Sequence, residues 1–379
     1  MKIALVCPFS FSYHGGVQKH VLALKEEFKK LGHACKIIVP RQRKDEAYGP
    51  EVILLGSSFI VPANATRGDI SWVSPWELET SLKDERFDLF HHHSVGPFIS
   101  LQIAEFARKH GLINVYTSHS NPDKSFVVQN LPIVFWPFFN YFLGFMDGTI
   151  SVSGKASQMI KDYQGPKAII PNGISTEKFS RLGPKIEGLQ EDDTKVLFVG
   201  RLDERKGILI MIEAFDKLRK RVPKTRLLVV GEGFLGKQAH DLVSKKGLKN
   251  VEFFGAVTDE DLPKYYRSAQ IFCAPSLGAE TFGMVLLEAM ASGLPVVASN
   301  IEGYKEVITG KGAELLVKAY DVDGLAQTLE RLVNDESGRR EFSAWGQKEV
   351  EKYSWERVSK EILEFYERVK SLKAKPQFS

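Results

Sequence analysis

The run Ala274-Pro275-Ser276-Leu277-Gly278-Ala279-Glu280-Thr281-Phe282-Gly283-Met284-Val285-Leu286-Leu287-Glu288-Ala289-Met290 decides how the rest of the chain is read. It continues an apolar segment, Ile271 to Ala274, with the unbroken hydrophobicity of a parallel strand buried on both faces. A loop containing Pro and Gly then leads into a helix expected from about Thr281. A strand that feeds a helix through a glycine loop makes an anion site, because the first-turn N–H groups are free and the positive end of the helix points at the ligand. Glu280 precedes the helix, and Glu288 follows Thr281 by seven residues, two turns on, so both acids can meet one ligand.

Outward from this element, strand-like runs at Lys195–Val199, Arg226–Val230, Val251–Phe254 and Pro295–Ala298 alternate with helical periodicity. Such alternation requires a parallel sheet with helices on both faces. Gly200-Arg201-Leu202-Asp203-Glu204-Arg205-Lys206-Gly207 leaves the first of these strands. Arg201 can donate as a fork and Lys206 as a point charge, a pair suited to a diphosphate. Gly231, Gly233 and Gly236 spell the formal dinucleotide fingerprint, but Glu252 lies inside the following strand instead of at its end, which argues against NAD.

The first half of the chain opens the same way. Lys2–Cys7 reads as a strand, Pro8–Gly16 as a loop, and Val17–Leu31 as a helix with Val17, Val21, Leu24, Phe28 and Leu31 on one stripe. Gly15 and Gly16 let backbone amides approach a ligand closely. Strands follow at Cys35–Pro40, Glu51–Leu55, Phe87–His91, Ile113–Thr117 and Gly148–Val152, with helices at Trp76–Lys83, Pro97–His110 and Gly154–Tyr163. Pro171-Asn172-Gly173 and the polar stretch 181–194 mark a linker, and Ser354 to about Leu372 forms an amphipathic helix with Val358, Ile362, Phe365 and Val369 on its stripe. The expected architecture is α/β, with two doubly wound Rossmann-like domains, 1–172 and 173–353. Helix 354–379 completes the first, and ligands are held in a central cleft between the strand ends of both. His91, His92 and His93 alternate between strand faces and cannot converge on one ion, so no metal is expected. His93 and His119 are placed at strand ends.

Composition narrows the function classes. At 379 residues the chain exceeds one ordinary core, and a formal charge of +4 is too small for nucleic-acid binding. Cys7, Cys35 and Cys273 each sit in or beside an apolar run, as reduced core residues of a cytoplasmic protein do. The opening apolar run is too short for a signal peptide. Ser125–Met146 carries no charge, but Gln129, Asn130, Pro132, Pro137 and Asn140 interrupt it. It reads as a buried connection or an apolar lip at a membrane interface, not a transmembrane helix. From Val17 to Lys44 there are eight Lys or Arg against two acids, a surplus that can hold an anionic membrane surface or simply be a solvated face.

Several of these stretches together resemble a known family. Cys273 to Met290 carries the E-x7-E signature of retaining glycosyltransferases of family 4, which have the GT-B fold. Val6–Phe11, Gly15-Gly16-Val17-Gln18, Pro171-Asn172-Gly173 and Gly200–Gly207 are similar to the bacterial phosphatidylinositol mannosyltransferases over nearly the whole chain. The resemblance implies a hexosyltransferase that takes a nucleotide-sugar, GDP-mannose, without a metal cofactor, and acts on a lipid acceptor at the cytoplasmic membrane face. It implies that Arg201 and Lys206 bind the diphosphate with the amides of Gly15, Gly16, Gly283, Met284 and Val285. Glu288 would then hold the ribose, Glu280 the sugar hydroxyls, and His119 the sugar or acceptor. Gln18, Phe9, Gly96, Ser120 and Lys124 fall at acceptor-side positions. Phe9 stands where that subgroup has tyrosine, and Gly96 where an asparagine would help hold inositol. A UDP-glucose-type donor with a soluble or different glycolipid acceptor is the alternative within the family, and a nucleotide-sugar epimerase the alternative outside it.

Overall fold

The computed structural model describes residues 1–12, 15–63, 66–96, 98–119, 132–189, 193–278 and 280–374, the side chains of 60–69 excepted. Two compact units emerge, Met1–Gly173 with Trp355–Ser379, and Ile174–Ser354.

In the first unit the strands are β1 (Lys2–Val6), β2 (Ala34–Pro40), β3 (Val52–Leu55), β4 (Ser57–Ala63), β5 (Thr66–Trp72), β6 (Leu89–His93), β7 (Ile113–Ser118), β8 (Gly148–Ser151) and β9 (Lys167–Ile169). The helices are α1 (Gly16–Lys30), α2 (Pro75–Leu82), α3 (Ile99–Lys109), α4 (Pro132–Leu143) and α5 (Gly154–Ser157). Seven strands pair in parallel in the order β3-β2-β1-β6-β7-β8-β9, and β4 and β5 form a separate antiparallel hairpin. The unbroken apolar run of β1 serves two faces. Ile3, Leu5 and Cys7 pack with α1 and the C-terminal helix, while Ala4 and Val6 pack with α2 and α3.

In the second unit the strands are β10 (Thr194–Val199), β11 (Thr225–Val230), β12 (Val251–Phe253), β13 (Ile271–Ala274), β14 (Val296–Ser299) and β15 (Leu316–Val317). Its helices are α6 (Ile208–Arg221), α7 (Gly236–Lys245), α8 (Leu262–Ser268), α9 (Met284–Ala291), α10 (Glu302–Lys305), α11 (Val322–Asn334) and α12 (Glu336–Val350). All six strands are parallel, in the order β12-β11-β10-β13-β14-β15. The last helix, α13 (Trp355–Ala374), returns to the first unit, where Val358, Ile362, Phe365 and Val369 are buried.

Strand order reverses once in each sheet, between β1 and β6 and between β10 and β13. Loops leaving neighbouring strands diverge at such a point and open a crevice at their carboxyl ends, where open α/β sheets bind ligands. The fold is thus that of two Rossmann-like units, as GT-B requires.

Several boundaries differ from the sequence reading. The helix expected from Thr281 starts at Met284, because Gly283 takes the N-cap at φ 97° and Glu280–Phe282 stay in the loop. β6 runs on to His93, since its three histidines are wholly buried despite their polarity. The hairpin and β9 have no counterpart in the strand pattern; β9 is three residues long and partly exposed, so it shows no apolar run. Of the uncharged stretch 125–146, residues 125–131 lie outside the described structure. Pro132–Leu143 forms α4, which buries Phe139, Phe142 and Leu143 and exposes Ile133 and Val134. No helix among the described residues is long and apolar enough to cross a membrane.

Candidate active site

In the second unit the crevice lies between the loops that leave β10 and β13. Asp203 organises the first loop. Its Oδ1 accepts from the Lys206 amide at 3.1 Å, capping a short 3-10 turn, and its Oδ2 accepts from Arg205 Nη2 at 2.7 Å. Arg201 Nε is 3.7 Å from the same oxygen. Burial pushes the Asp203 carboxyl up, but Arg205, the Lys206 amide and Arg201 outweigh it and hold the group below its ordinary value.

The two loops are clamped together. Leu277 N donates to Arg205 O at 2.7 Å, and a Cβ on Gly207, which has φ 74°, would fall 2.0 Å from Pro275 O. Across this contact Lys206 Nζ meets Glu280 Oε1 at 2.8 Å, each side chain less than one-fifth exposed. The cation expected at the diphosphate and the acid expected at the sugar are therefore neighbours.

The second loop rests on Tyr304, which is fully buried. Its hydroxyl is hydrogen-bonded to Ser276 Oγ at 2.7 Å, and its ring fills the space a Cβ on Gly283 would need, 2.7 Å away. Burial, and then the charge of Glu280, push this phenol well up, so it stays a neutral support. Gly303 allows α10 to press against the Glu280 carbonyl, 2.3 Å from a Cβ at that position. Met284 and Val285 begin α9 and are half-buried, with Glu288 one turn beyond Met284. Tyr266, buried on α8, donates its hydroxyl to Glu288 Oε2 at 2.7 Å, which orients the acid. Sequence reasoning missed Ser276, Tyr266 and Tyr304, because a tyrosine in an apolar pattern reads as core.

The glycine fingerprint has another purpose. A Cβ at Gly231 would lie 2.0 Å from Gly200 O and one at Gly233 2.4 Å from Leu202 O, while Leu202 N donates to Glu232 O. These glycines seat the Arg201 loop against the end of β11.

In the first unit the crevice lies between the β1–α1 loop and the loop after β6. Gly15 is the N-cap of α1, Gly16 its first residue, and neither needs positive φ. Gln18 is buried and folds back, donating from Nε2 to Ser10 O at 3.2 Å. Gly96 packs on Pro8, 2.5 Å from Pro8 Cβ to a Cβ built there, so a side chain at 96 would displace the Phe9 loop. Phe9 is partly buried against the β1–α1 core. Ser120 and Lys124 lie outside the described residues.

The three consecutive histidines do alternate, and each has a partner from another element. His92 turns to Asn114 Oδ1 at 3.0 Å. On the opposite face His91 is bonded to Thr117 Oγ1 and to the hydroxyl of Tyr366. His93 Nδ1 lies 3.2 Å from His119 Nε2, and the ring of His20, on α1, is 5.1 Å from that of His93 and 4.7 Å from that of His119. Trp355 and Asn172 border the group. Burial pushes His20 down to about 4 and His93 and His119 well below the usual imidazole value, so all three are neutral at pH 7. The sequence reading placed His93 and His119 at strand ends but overlooked His20, which on its helix reads as a polar face.

With both crevices described, comparison with known proteins assigns the chain. Residues 181–349 match the family described as glycosyl transferases group 1, and residues 14–178 match glycosyltransferase family 4. The phosphatidyl-myo-inositol mannosyltransferase of Mycolicibacterium smegmatis is 32% identical over 388 residues, covering 100% of this chain and 97% of that protein. The protein of the same name from Mycobacterium leprae is 32% identical over 384 residues, covering 100% and 99%. Among solved structures, sucrose-phosphate synthase from Thermosynechococcus elongatus aligns with a TM-score of 0.72 at 21% identity, over 98% of this chain and 99% of that one. Anabaena HepE, solved with UDP and glucose, aligns with a TM-score of 0.72 at 17% identity, over 97% and 100%. Full-length likeness to named mannosyltransferases, two matching family descriptions and two Rossmann-like sheets lead to one assignment: the chain belongs to glycosyltransferase family 4 and is a glycosyltransferase of the GT-B fold.

Proposed function

We propose that the chain transfers mannose from GDP-mannose, with retention at the anomeric carbon and without a metal ion, to a phosphatidylinositol-type lipid at the cytoplasmic membrane face. The observation that carries the chemistry is the pairing of Lys206 with Glu280 at 2.8 Å across the β10–β13 crevice, beside Arg201 and the start of α9. Departure of the diphosphate leaves negative charge on oxygen, and fixed cations and amides at that point lower the barrier. Arg201, Lys206 and the amides of Gly283, Met284 and Val285 supply them. Glu280 accepts hydrogen bonds from sugar hydroxyls, Glu288 from the ribose, and His119 contacts the sugar or acceptor.

The lipid acceptor draws on the names of the relatives that share about a third of the sequence. Apolar groups exposed on the first unit also favour it. Phe59, Trp72, Trp76 and Phe98 are each more than half exposed, and Phe98 is bridged to the hairpin at Ser71. Exposed aromatics of this kind suit a membrane interface.

The test is incubation of the protein in EDTA with GDP-mannose or UDP-glucose, with phosphatidylinositol liposomes or soluble sugar acceptors. Mannosylated phosphatidylinositol is the expected product. Preference for UDP-glucose, transfer only to soluble acceptors, or loss of activity in EDTA would overturn the donor, acceptor or metal statement respectively.

A further inference from the structure

His20, His93 and His119 come from three different elements, α1, the end of β6 and the residue after β7. One ring nitrogen from each lies within 4.8 Å of one from each of the others. Their environment differs from that of an ordinary core histidine such as His91, whose two ring nitrogens both have hydrogen-bond partners. His20 Nδ1 and Nε2 are both buried, and neither has a hydrogen-bond partner among the described residues. Burying such a nitrogen unpaired is costly, so the arrangement is strained toward a ligand.

We propose that His20, His93 and His119 form a binding site for a Zn2+-class transition-metal ion. Three imidazoles with a fourth position open to water or a ligand oxygen are a zinc-type donor set. A tetrahedral ion with Zn–N bonds of about 2.0–2.1 Å sets its ligand nitrogens roughly 3.3–3.4 Å apart. His93 Nδ1 and His119 Nε2 already stand at 3.2 Å, and a His20 ring nitrogen lies within 4.8 Å of a ring nitrogen of each. With no carboxylate in the cluster, Mg2+ and Ca2+ find no oxygen ligands there. Asn172 borders both His20 and His119 and is placed to steady the rings from outside.

The proton balance is simple. Each imidazole is neutral and carries one N–H. Binding replaces the His93–His119 hydrogen bond with two metal bonds and shifts the proton of one ring to its other nitrogen, with no net proton release. The low pKa values keep protons from competing at neutral pH.

Because His119 would be held by the ion, its occupation withdraws the group assigned above to the sugar or acceptor. Zn2+ is thus an inhibitor of transfer, a consequence that rests on the proposed function, whereas the site itself does not.

EDTA-treated protein titrated calorimetrically with Zn2+, and by visible absorption with Co2+, should bind one ion with a tetrahedral Co2+ spectrum, and Mg2+ should not compete. His20→Gln and His93→Gln, checked for folding by circular dichroism, should lose that binding, while His240→Gln in the other unit keeps it. In wild-type crystals soaked in Zn2+, an anomalous peak bonded to the three histidines is expected, a readout independent of any variant. Undiminished binding in folded His20→Gln or His93→Gln, or a peak only elsewhere, overturns the site. Zn2+ bound at the site without loss of sugar transfer leaves the site standing and overturns the role given to His119.

Discussion

The two units place opposite kinds of chemistry at the same topological position. At the β10–β13 reversal the second unit gathers charge: Lys206 with Glu280, and Arg201 and Arg205 around Asp203. At the β1–β6 reversal the first unit gathers histidines that burial keeps neutral. A crevice that must stabilise a leaving diphosphate needs permanent cations, and these stay partly solvated; Arg201 is half exposed. On the proposed function the first crevice meets hydroxyl groups instead of a departing diphosphate, so it has no such need and can be drier. The contrast can be broken by acid, which attacks only one of these devices near neutrality.

The largest effect should therefore come from pH. Burial pushes His20 and His92 from the ordinary 6.5 down to about 4, and pushes His91, His93 and His119 well below the ordinary value. Their folded pKa values are below the unfolded ones, so the unfolded chain binds more protons between about pH 6.5 and 4. The stability they contribute is fully present above that window and is lost as pH falls through it. For His20 alone the shift from 6.5 to about 4 corresponds to about 3 kcal/mol, a large share of a domain's stability. The second unit's depressed carboxyls, Asp203 and Asp216, titrate only below their ordinary 3.8. Hydrogen-exchange mass spectrometry on the whole chain, corrected for intrinsic exchange, should show β1, β6 and β7 opening between pH 6 and 4.5 while β10 and β13 stay protected. Simultaneous opening of both sheets would abolish the contrast.

Next in size is Lys206→Ala. Removing a fixed cation from a developing oxyanion typically costs about 10²–10³ in turnover, and here it also leaves Glu280 half-buried without its partner. Donor binding, measured calorimetrically with the nucleoside diphosphate, should weaken as well. A loss under threefold in kcat/KM would show that the charged crevice is not where the diphosphate departs.

Glu280→Ala should do less. One hydrogen bond to a charged group is worth roughly 1.5–3 kcal/mol, so turnover falls about 10–100-fold while nucleotide binding holds. Nucleotide affinity falling in step with turnover would move Glu280 from the sugar to the nucleotide.

The same contrast governs what could be read from the chain. The charged crevice was legible because its parts are punctuated. Gly207 and Gly283 take positive φ where the backbone turns, and Arg201, Lys206, Glu280 and Glu288 stand out as charges beside an apolar strand and helix. What failed there was local detail. Thr281 looks like a helix start, yet Gly283 is the cap, because Tyr304 occupies the space beneath it and the loop must stay extended to carry Glu280. Gly231 and Gly233 satisfy a nucleotide fingerprint while serving a backbone contact with Gly200 and Leu202 that no motif encodes. The histidine crevice was legible only in halves. Strand alternation correctly separates His92 from His91 and His93, but His20 lies 73 positions before His93, and only packing of α1 on the sheet brings them together. Tyr266 and Tyr304 were hidden for the same reason, since their hydroxyl partners are 22 and 28 residues away.

Tyr266→Phe should give the smallest change and the sharpest reading of the charged crevice. The ring packs among Phe179 and Phe272 in the core and would be kept by phenylalanine, so folding and melting temperature should barely move. Only the hydroxyl that donates to Glu288 Oε2 at 2.7 Å is lost. If Glu288 holds the ribose, it contacts a part of the donor that does not change during the reaction, so its grip is the same in the ground and transition states. Loosening such a contact raises KM and leaves kcat alone. One net hydrogen bond of about 0.5–1.5 kcal/mol corresponds to roughly a 2–12-fold rise in donor KM. A fall in kcat at unchanged KM would instead place Glu288 at the reacting sugar and leave the ribose to another residue. A rise in KM confined to the lipid acceptor would remove Glu288 from the donor altogether.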